Sequence, residues 1–511
     1  MRQYPPPEIY AKTFGHTKMK LSVFVCLTTL VVMILACAND ETSTASTSSS
    51  QITGWARSTV SGSAKSQFNS VAVDSNGNIY AAGIQTGTSA YSYAAGVSAS
   101  CGHTGENSLL VKYNSGGSAQ WAKCVTGGGG DSQFKSVATD SAGNIYAVGL
   151  QTGNSAFNYG NSITLSGGSA DNAVLVKFNT NGDAQFARRA NGANNASQFD
   201  GIVIDSSDNI FVAGNQTGNG SFDYGNSQTA SGSASGNSNP VLVKYNSSGD
   251  AQWVKTRESG NSQATFVDVV SDSSGNLYVV GQQNATVSGG YGNSVTTTGS
   301  APVNLLLVKY NSAGTAQWAR SSTAGTDNSF FVTVAVDSTG DVYVSGLQLG
   351  TGTMTYASGI TTTALSNDGT SVLLKYNSVG TAQWARTPST GSAASAFGSL
   401  AVTSNNLIGV VGNQTGTTAY NYGDGFSLSA VNSGTNAVYL QYNVSGTVQL
   451  ARTVAVASGA TSFSSLVFNS SNHALIGGTQ TGNASVTWAG EIKSTGSASG
   501  VENAALLRFE N

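Results

Sequence analysis

Few side chains in this sequence could perform acid–base or nucleophilic chemistry. The 511 residues include only 3 His and 4 Cys, beside 22 Lys and Arg and 25 Asp and Glu. The histidines are isolated: His16 lies near the N-terminus, His103 follows Cys101-Gly102, and His473 lies in a turn between two strand-like segments. No G-x-S-x-G or H-E-x-x-H motif and no carboxylate pair beside a base is present. The sequence therefore favours a protein that is not an enzyme and has no cofactor.

The cysteines divide between the N-terminal segment and the body of the chain. Cys37 ends the apolar run 21–36, and the motif ILAC at 34–37 resembles the lipobox of bacterial lipoproteins. That resemblance implies that Cys37 is lipidated and becomes the mature N-terminus, the alternative being ordinary signal cleavage just before it. Cys101 and Cys124 lie on either side of one predicted hairpin, and an exported chain can pair two such residues. The sequence leaves a disulfide and two free thiols open.

A Gln follows the second strand of every repeat, and an aromatic residue follows eight positions later. The Gln residues are Gln85, Gln151, Gln216, Gln283, Gln348, Gln414 and Gln480. The aromatic residues are Tyr93, Tyr159, Tyr224, Tyr291, Tyr356, Tyr422 and Trp488. Seven amides could form a ring of hydrogen-bonding groups on one side of the molecule. They could equally satisfy the backbone of their own loops, as buried amides must. Because a binding site usually breaks symmetry, the structural interpretation is favoured.

A second recurring polar residue is the Asp of the hairpin motif D-S-x-G-N. It occurs as Asp74, Asp140, Asp205, Asp272 and Asp337. A calcium loop needs several alternating oxygen ligands and a later Glu. Here Ser and one Asn follow, and the copies at Thr403 and Asn469 lose the carboxylate. Capping of a tight turn explains all seven copies, so no metal site is predicted.

These residues sit within three landmarks that recur seven times. The first is the Trp segment, GWARS at Trp55 through AQWAR to VQLAR at Leu450, which spans 395 residues in six intervals of about 66. The second is the hairpin VAVDSNGNIYAAG, first ending at Gly83. The third is LLVKYN around Lys112, repeated to LLRFEN at the C-terminus. One period in three separate landmarks predicts a repeat architecture.

The local pattern predicts four strands in each repeat. VAVD and NIYAAG are β-branched and aromatic runs joined by a turn, and LLVKYN and AQWAK form a second hairpin. Four strands and no helical periodicity predict an all-β, seven-bladed β-propeller with blades of about 66 residues. The first strand, at Trp55, lacks a partner, as does the last, at 505–510. We therefore expect the N-terminal strand to complete the last blade and close the ring, in preference to an eight-bladed or open array.

The paired motifs VAVDSxGNIYxxG and LLVKYNxxGxAQWAR resemble the SBBP family of bacterial β-propeller repeats, which often occur in lipoproteins. The hairpin alone is also similar to NHL repeats, whose blades are shorter and lack the second hairpin. The SBBP resemblance extends from Trp55 to Asn511. It implies a propeller fold and no particular catalytic residues.

The N-terminal segment predicts export. Residues 1–18 contain three consecutive prolines and a Glu, which suit no signal peptide, so we expect translation to start at Met19. Residues 19–36 are then a lipoprotein signal peptide, and 37–51 are the lipidated Cys with a flexible polar tether. The propeller occupies 52–511. We expect the protein at the bacterial cell envelope, on the outer membrane in preference to the inner one.

Charge and composition limit the classes of partner that the protein is expected to bind. A net charge of −3, with 9% charged residues, excludes an electrostatic nucleic-acid binder. Between the Gln and LVKY, each repeat carries a variable insert rich in Tyr, Asn, Ser, Thr and Gly, suited to hydrogen bonding and stacking with a glycan or protein. The sequence predicts a monomeric, lipid-anchored, non-catalytic binding module. The alternatives are an envelope lyase or hydrolase with a site at the central channel, and a scaffold of an envelope complex.

Overall fold

The computed structural model describes residues 53–510, apart from 193–194, 285, 287 and 490. The described part is all-β: it contains strands, turns and bends, and no helix. It therefore includes no helix long and apolar enough to cross a membrane. Met19, the signal segment 19–36, Cys37 and the tether up to residue 51 lie outside the described residues.

The described residues include seven four-stranded antiparallel sheets, numbered here in chain order, and in sheets 1 to 6 the four strands lie side by side in the order of the chain. Sheet 1 contains Ser66–Val73, Ile79–Thr86, Glu106–Tyr113 and Ala119–Cys124. Sheet 2 contains Ser132–Thr139, Ile145–Thr152, Asp171–Phe178 and Ala184–Arg189. Sheet 3 contains Ser197–Ile204, Ile210–Thr217, Ser238–Tyr245 and Ala251–Thr256. Sheet 4 contains Ala264–Ser271, Leu277–Asn284, Val303–Tyr310 and Ala316–Arg320.

The last sheet takes its fourth strand from the start of the described chain. Sheet 5 contains Asn328–Val336, Val342–Gly350, Ser366–Tyr376 and Ala382–Arg386. Sheet 6 contains Ser395–Val402, Ile408–Thr415, Thr435–Tyr442 and Val448–Thr453. Sheet 7 contains Thr461–Phe468, Ala474–Thr481, Glu502–Phe509 and Gly54–Ser58. In that final pair Trp55 lies opposite Arg508 and Ser58 opposite Ala505.

The hydrophobic core lies between the sheets. Each core cluster joins two neighbouring sheets, because both faces of a four-stranded sheet carry apolar side chains. One cluster joins the last sheet to the first, with Leu475 and Leu506 packed beside Phe68 and Val71. The first strands of consecutive sheets also contact each other. This packing of small sheets side by side is propeller-like.

A close backbone approach explains the Gly that ends each hairpin landmark. A Cβ added to Gly149 would lie 1.9 Å from the carbonyl oxygen of Gln133 in the first strand. The pairing of these two strands shifts register between Val148 and Gly149, which marks a β-bulge. Only Gly fits where the bulged strand comes this close. The same approach recurs at Gly83, Gly214, Gly281, Gly346, Gly412 and Gly478.

The second and third strands of each sheet are joined through a short hairpin, here called the insert hairpin. Hairpins 1 to 4 are Tyr91–Ala94 with Val97–Ala99, Ala156–Asn158 with Thr164–Ser166, Ser221–Asp223 with Thr229–Ser231, and Gly289–Gly290 with Thr296–Thr297. Hairpins 5 to 7 are Thr353–Ala357 with Ile360–Thr363, Tyr420–Gly423 with Phe426–Leu428, and Ser485–Thr487 with Lys493–Thr495. In hairpin 2 a third strand, Thr126–Gly127, joins from the preceding connection.

The insert hairpins fill the gaps between the fourth strands of neighbouring sheets, a region here called the rim. The first strand of each hairpin bridges to the connection from the preceding sheet, as Ser92 does to Ser61 and Asn421 to Thr390. The second strand contacts the fourth strand of its own sheet. The variable segments of the sequence therefore form hairpins that pack between neighbouring sheets.

Each sheet has a turn side, where tight turns join its strands, and an insert side, where the inserts and connections lie. On the turn side, recurring cations link one sheet to the next. Lys177 of sheet 2 donates to the carbonyl oxygen of Ser247 in a turn of sheet 3, at 3.1 Å. Its ammonium also lies 5.0 Å from the ring centroid of Tyr146, a cation–π contact. Much of the low charge of the chain is therefore part of the scaffold.

Candidate functional site

The repeated Gln residues lie in the interior of the inserts. In sheet 3 the Gln216 amide donates to the carbonyl oxygen of Ala230 at 3.2 Å and accepts from the Tyr224 hydroxyl at 2.7 Å. Both side chains are buried. The second strand delivers the Gln and the hairpin delivers the Tyr, so one amide fixes the hairpin to its sheet. All seven Gln side chains are buried, and none projects into a ring of exposed groups.

In two inserts an additional hydroxyl group connects the Gln to the aromatic residue. In sheet 5 Thr362 donates to Gln348 Oε1 at 2.9 Å and lies 2.9 Å from the Tyr356 hydroxyl. Burial raises the pKa of Tyr356 to about 12. In sheet 7 the indole of Trp488 donates to Ser494, whose hydroxyl donates to Gln480. The Gln348 amide also donates to Gly352 of its own insert and to Asp327 of the preceding connection.

The aromatic rings of the inserts are core residues, which corrects one expectation from the sequence. Tyr93, Tyr159, Tyr224, Tyr291, Tyr356, Tyr422 and Trp488 are each 4% exposed or less. Phe199 packs 6.3 Å from Tyr224, and Phe463 stacks 5.3 Å from Trp488, between ring centroids. The prediction that these rings stack on a partner is therefore wrong, because they are buried. Hydroxyls, amides and a few charges lie on the exposed surface of the insert side, together with exposed apolar side chains such as Val60 and Val456.

Cys101 and Cys124 form a disulfide, with their Cα atoms 5.2 Å apart. Cys101 follows insert hairpin 1, and Cys124 ends the fourth strand of sheet 1. The bond ties the segment 100–105, here called return loop 1, to the edge of its sheet.

A buried Asn shapes each return loop, a role that the sequence analysis missed. Asn107 accepts from the backbone N–H of His103 at 2.9 Å and donates to the carbonyl oxygen of the same residue at 2.7 Å. The same position is Asn172, Asn239, Asn304, Asn436 and Asn503 in other sheets, and Thr370 in sheet 5. The recurrence of this Asn in the strand opposite the Gln was the sequence signal that could have identified its role.

Charged side chains gather on the insert side of sheets 7, 1 and 2. Lys65, just before the first strand of sheet 1, lies 3.3 Å from Glu502 of sheet 7 and 3.7 Å from Glu106 of sheet 1. Glu106 also accepts from the side chain of Gln133 in sheet 2. All three charged side chains are between 27% and 38% exposed, so they are accessible to a partner.

His103 and Asp131 extend this group toward sheet 2. His103 Nε2 lies 3.2 Å from Asp131 Oδ1, and the same oxygen accepts from the backbone N–H of Glu106 at 2.9 Å. The Asp131 side chain is 52% exposed and that of His103 is 23% exposed. We call Lys65, His103, Glu106, Asp131 and Glu502 the insert-side charge cluster. An imidazole beside a carboxylate can bind a partner or transfer a proton.

The charge cluster breaks the repeat symmetry. The position of Lys65 and Asp131 is neutral in the five other sheets: Ala196, Gln263, Asn328, Ala394 and Ala460. The position of Glu106 and Glu502 is Asp171 in sheet 2, and Ser238, Val303 and Thr435 in sheets 3, 4 and 6. The buried residues that build the sheets recur from repeat to repeat, whereas the charges of this cluster do not.

A second group of unique charges lies on the first strands. Lys135 of sheet 2 forms an ion pair of 2.8 Å with Asp200 of sheet 3. Gln198 donates to both carboxylate oxygens of Asp200, at 2.9 and 3.0 Å. Asn69 of sheet 1 donates to the carbonyl oxygen of Phe134 at 2.9 Å. These polar groups are used to join the first strands of sheets 1, 2 and 3.

Asp268 occupies a position at which four of the other first strands carry Ser, at Ser70, Ser136, Ser399 and Ser465. Its carboxylate accepts from the N–H of Val334 in sheet 5 at 3.1 Å and from its neighbour Val269 at 2.9 Å. Ser399 accepts in the same way from the N–H of Leu466, at 3.0 Å. Burial raises the pKa of Asp268 to about 6, because desolvation outweighs these hydrogen bonds.

The Asp of the hairpin motif caps its turn. The Asp74 carboxylate accepts from the backbone N–H groups of Asn76 and Asn78, each at 2.9 Å. The Asn78 amide at 2.8 Å and the Tyr80 hydroxyl at 3.0 Å complete the set. Among the described residues, no group of three or more His, Cys, Asp or Glu side chains could hold a metal ion.

His473 lies on the turn side, in the turn between the first two strands of sheet 7. Its Nδ1 is 2.9 Å from a guanidinium nitrogen of Arg508, which also lies 2.6 Å from Glu510. His16 and Cys37 lie outside the described residues. His103 is thus the one histidine of the described part on the insert side.

The sequence matches no protein-family model and no curated protein. Virginiamycin B lyase from Staphylococcus aureus is similar in structure, with 8% identity and a TM-score of 0.43 over 89% of this chain and 99% of that one. A protein of unknown function from Dyadobacter fermentans has 11% identity and a TM-score of 0.38, with the same coverage of both chains. One from Bacteroides caccae has 12% identity and a TM-score of 0.30, over 62% of this chain and 80% of that one. The likeness is one of fold alone.

Proposed function

We propose that this chain is an exported, lipid-anchored binding module of the bacterial cell envelope that acts without catalysis. Its body is a closed, seven-bladed β-propeller, and its insert side meets a glycan or protein partner. Cys37 carries the lipid, and residues 38–51 tether the propeller to the membrane, the outer one in preference to the inner one.

Two features support closure of the ring. Every pair of consecutive sheets shares a core cluster, and so do sheets 7 and 1. The strand Gly54–Ser58 pairs with the third strand of sheet 7, so the start and end of the propeller share one sheet. Closure of this kind removes two sheet edges that an open array would expose.

The asymmetric charge cluster is the observation that carries the proposed binding role. The cations of the turn side are bonded within the scaffold, whereas Lys65, Glu106, Asp131 and Glu502 are partly exposed at one place on the insert side. Conserving the buried parts of a repeat while varying one accessible patch is typical of a recognition surface on a rigid scaffold. Neutral hydroxyls and amides around it would supply further hydrogen bonds.

Saturable binding to immobilised envelope glycans and to detergent-solubilised envelope proteins tests this role. The full chain should bind, and a variant with Lys65→Gln, Glu106→Gln and Glu502→Gln should lose at least 10-fold in affinity. A turn-side variant, Asp183→Asn with Asp250→Asn, is the matched control and should bind as the wild type does. Equal binding by both variants would contradict the proposed surface.

The anchor has a separate test. Cys37→Ala should abolish palmitate labelling and release the protein from membranes, whereas Cys26→Ala, within the signal segment, should leave both unchanged. Labelling that survives Cys37→Ala would exclude this residue as the lipidated one.

His103 supports a second candidate function, an envelope lyase or hydrolase. Its imidazole is held 3.2 Å from the Asp131 carboxylate at an accessible surface, an arrangement that general acid–base catalysis uses. Turnover of an envelope polysaccharide or peptide substrate, lost in both His103→Ala and Asp131→Asn with binding retained, would establish the enzyme. Binding without turnover would establish the first proposal.

A further inference from the structure

The rim carries a polar groove between sheets 3 and 4 that is separate from the charge cluster and reaches the turn between the third and fourth strands of sheet 4. It lies between the fourth strand of sheet 3 and the tip of insert hairpin 4, and its volume is about 290 Å³. That volume is at the lower end of the range for small-molecule sites. Its walls include Lys255, Glu258 and the hydroxyls of Thr229 and Thr315.

Lys255 occupies a position that is filled by a bonded Arg at four other sheet boundaries. There, Arg57, Arg320 and Arg386 fold across the gap and donate from Nε to a turn carbonyl oxygen of the next sheet, at 2.8, 2.6 and 2.8 Å. Arg188 makes the same bond to Gly249, at 3.1 Å. Within the described residues the Lys255 ammonium makes no hydrogen bond or ion pair. The exchange of Arg for Lys leaves both space and an unused positive charge.

Glu258 places a negative charge at the same groove. Its side chain is exposed, and its carboxylate lies beside Gly292, where an added Cβ would be 3.1 Å from Oε1. No ion pair within 4.0 Å joins it to Lys255 or to another cation of the described part. The corresponding residues in the other connections are neutral: Val60, Thr126, Asn191, Thr323, Ser389 and Ala455.

Insert hairpin 4, whose tip lines the groove, differs from the other insert hairpins. Hairpin 4 has only two residues in each strand, and Gly289 stands where other hairpins carry Tyr91, Phe157 or Tyr420. Arg257, 1% exposed, fills the space below and donates to the carbonyl oxygens of Gly260 and Ser262. The guanidinium is thus part of the scaffold, and the groove above it remains open.

The boundary between sheets 1 and 2 provides a natural comparison. It also carries a Lys, Lys123, whose stem lies against Gly182 as that of Lys255 lies against Gly314. There, however, Thr126–Gly127 pairs with hairpin 2 as an extra strand, and no acidic residue faces the Lys from the connection.

We propose that the groove between sheets 3 and 4 binds a small zwitterion of the amino-acid or dipeptide class. Lys255 binds its carboxylate and Glu258 its ammonium group. Two opposite charges that face one cavity without pairing complement a ligand that carries both charges, and charge-assisted hydrogen bonds make such contacts strong. This inference goes beyond the proposed partner surface and does not depend on it.

Calorimetric titration of the full chain in detergent tests this site. The probes are alanyl-alanine, N-acetyl-alanyl-alanine, alanyl-alanine amide and glucose, each up to about 10 mM, a range that covers weak small-molecule binding. The zwitterion should bind with one site per chain. Each blocked dipeptide should bind at least 10-fold more weakly, and glucose should not bind.

Three variants locate the binding site. Lys255→Gln and Glu258→Gln should each weaken binding of alanyl-alanine at least 10-fold. Lys255→Arg keeps the charge but supplies the side chain that fills the other boundaries, so it should also abolish binding while the protein stays folded. Lys123→Gln is the matched control and should bind as the wild type does.

Three results would overturn the proposal. One is the absence of alanyl-alanine binding by the folded wild-type chain. Another is equal affinity for the blocked dipeptides or for glucose, which would remove the zwitterion as the ligand class. The third is binding unchanged by Lys255→Arg and Glu258→Gln, which would place the ligand elsewhere.

Discussion

At the scale of single residues, the buried Gln of each insert connects two elements that the chain brings together only on folding. Its amide donates to the hairpin backbone and accepts from the hairpin aromatic, as Gln414 does with Leu428 and Tyr422 at 3.1 Å each. The side chain is fully buried. Losing one amide therefore leaves a buried hydroxyl and a buried carbonyl without partners.

Gln216→Met should lower the free energy of unfolding by about 1–3 kcal/mol, the cost of leaving buried polar groups unpaired. The apolar side chain keeps the volume but cannot pair with the Tyr224 hydroxyl or the Ala230 carbonyl oxygen. Gln185→Met, at an exposed Gln of sheet 2, should change stability little. Denaturant unfolding of the two variants measures the difference, and equal losses would exclude the role assigned to the buried amide.

Asp268 predicts a pH dependence of stability. Its pKa in the folded protein is about 6, above the ordinary value of 3.8. The folded state therefore binds more protons than the unfolded state between these values, and the contribution of this residue to stability falls as pH rises through that window. Above pH 6 the buried carboxylate is ionised and the penalty is complete.

Asp268→Ser introduces the residue found at Ser399 and should stabilise the protein at pH 8, by about 1–3 kcal/mol. The gain should shrink as pH falls toward 4, because the wild-type carboxyl group is then protonated. Thermal unfolding of both proteins at pH 4.5 and pH 8 measures this. A gain that is the same at both values would contradict the raised pKa.

At the scale of elements, one part of the structure of the insert hairpins could be predicted from the sequence and another part could not. The variable inserts of the sequence form short hairpins in the structure, and in the one at 156–166 Asn161 and Ser162 have positive φ in the turn. The aromatic pairs two residues apart, such as Tyr420 and Tyr422, were equally consistent with an exposed face and with a buried one. These rings are buried because two neighbouring sheets pack against them. The sequence of a single repeat does not specify that packing.

The disulfide joins an insert to the edge of its sheet, across 23 residues. Constraining a loop of this length in the unfolded state is worth about 3 kcal/mol. Reduction, or a Cys101→Ser and Cys124→Ser double variant, should lower the free energy of unfolding by that order. Denaturation with and without reductant measures it, with the double variant as the control that should not respond to reductant. A wild-type protein that unfolds identically in both conditions would contradict the bond.

At the scale of the whole molecule, much of the scaffold could be predicted from the repeat. Three landmarks with one period predicted four strands in each unit, and the half-hairpins at the two ends predicted the pairing of Trp55 with the C-terminal strand. The charge cluster was not predicted, because the repeat pattern does not show which side chains of neighbouring sheets come within bonding distance of each other. Lys65 and Glu502 are 437 residues apart in the chain and 3.3 Å apart in the structure.

The proposed closure of the ring through the N-terminal strand predicts the effect of two deletions. Removing residues 53–58 leaves the strand Glu502–Phe509 without one of its two neighbouring strands and exposes an apolar sheet edge, so the protein should lose stability and associate. Removing tether residues 38–51 should change neither property. Thermal unfolding and size-exclusion chromatography of both deletions measure this, and a 53–58 deletion that remains monomeric and equally stable would exclude closure by this strand.

If the insert side of sheets 7, 1 and 2 meets a partner at the cell envelope, as proposed, its backbone should be protected there from hydrogen exchange. Exchange of the full chain is measured by mass spectrometry in native membranes and after purification in detergent. The membrane sample should gain protection at residues 60–66, 100–107, 129–133 and 496–503, while the turn side stays unchanged. Equal exchange in both samples, or protection confined to the turn side, would contradict it.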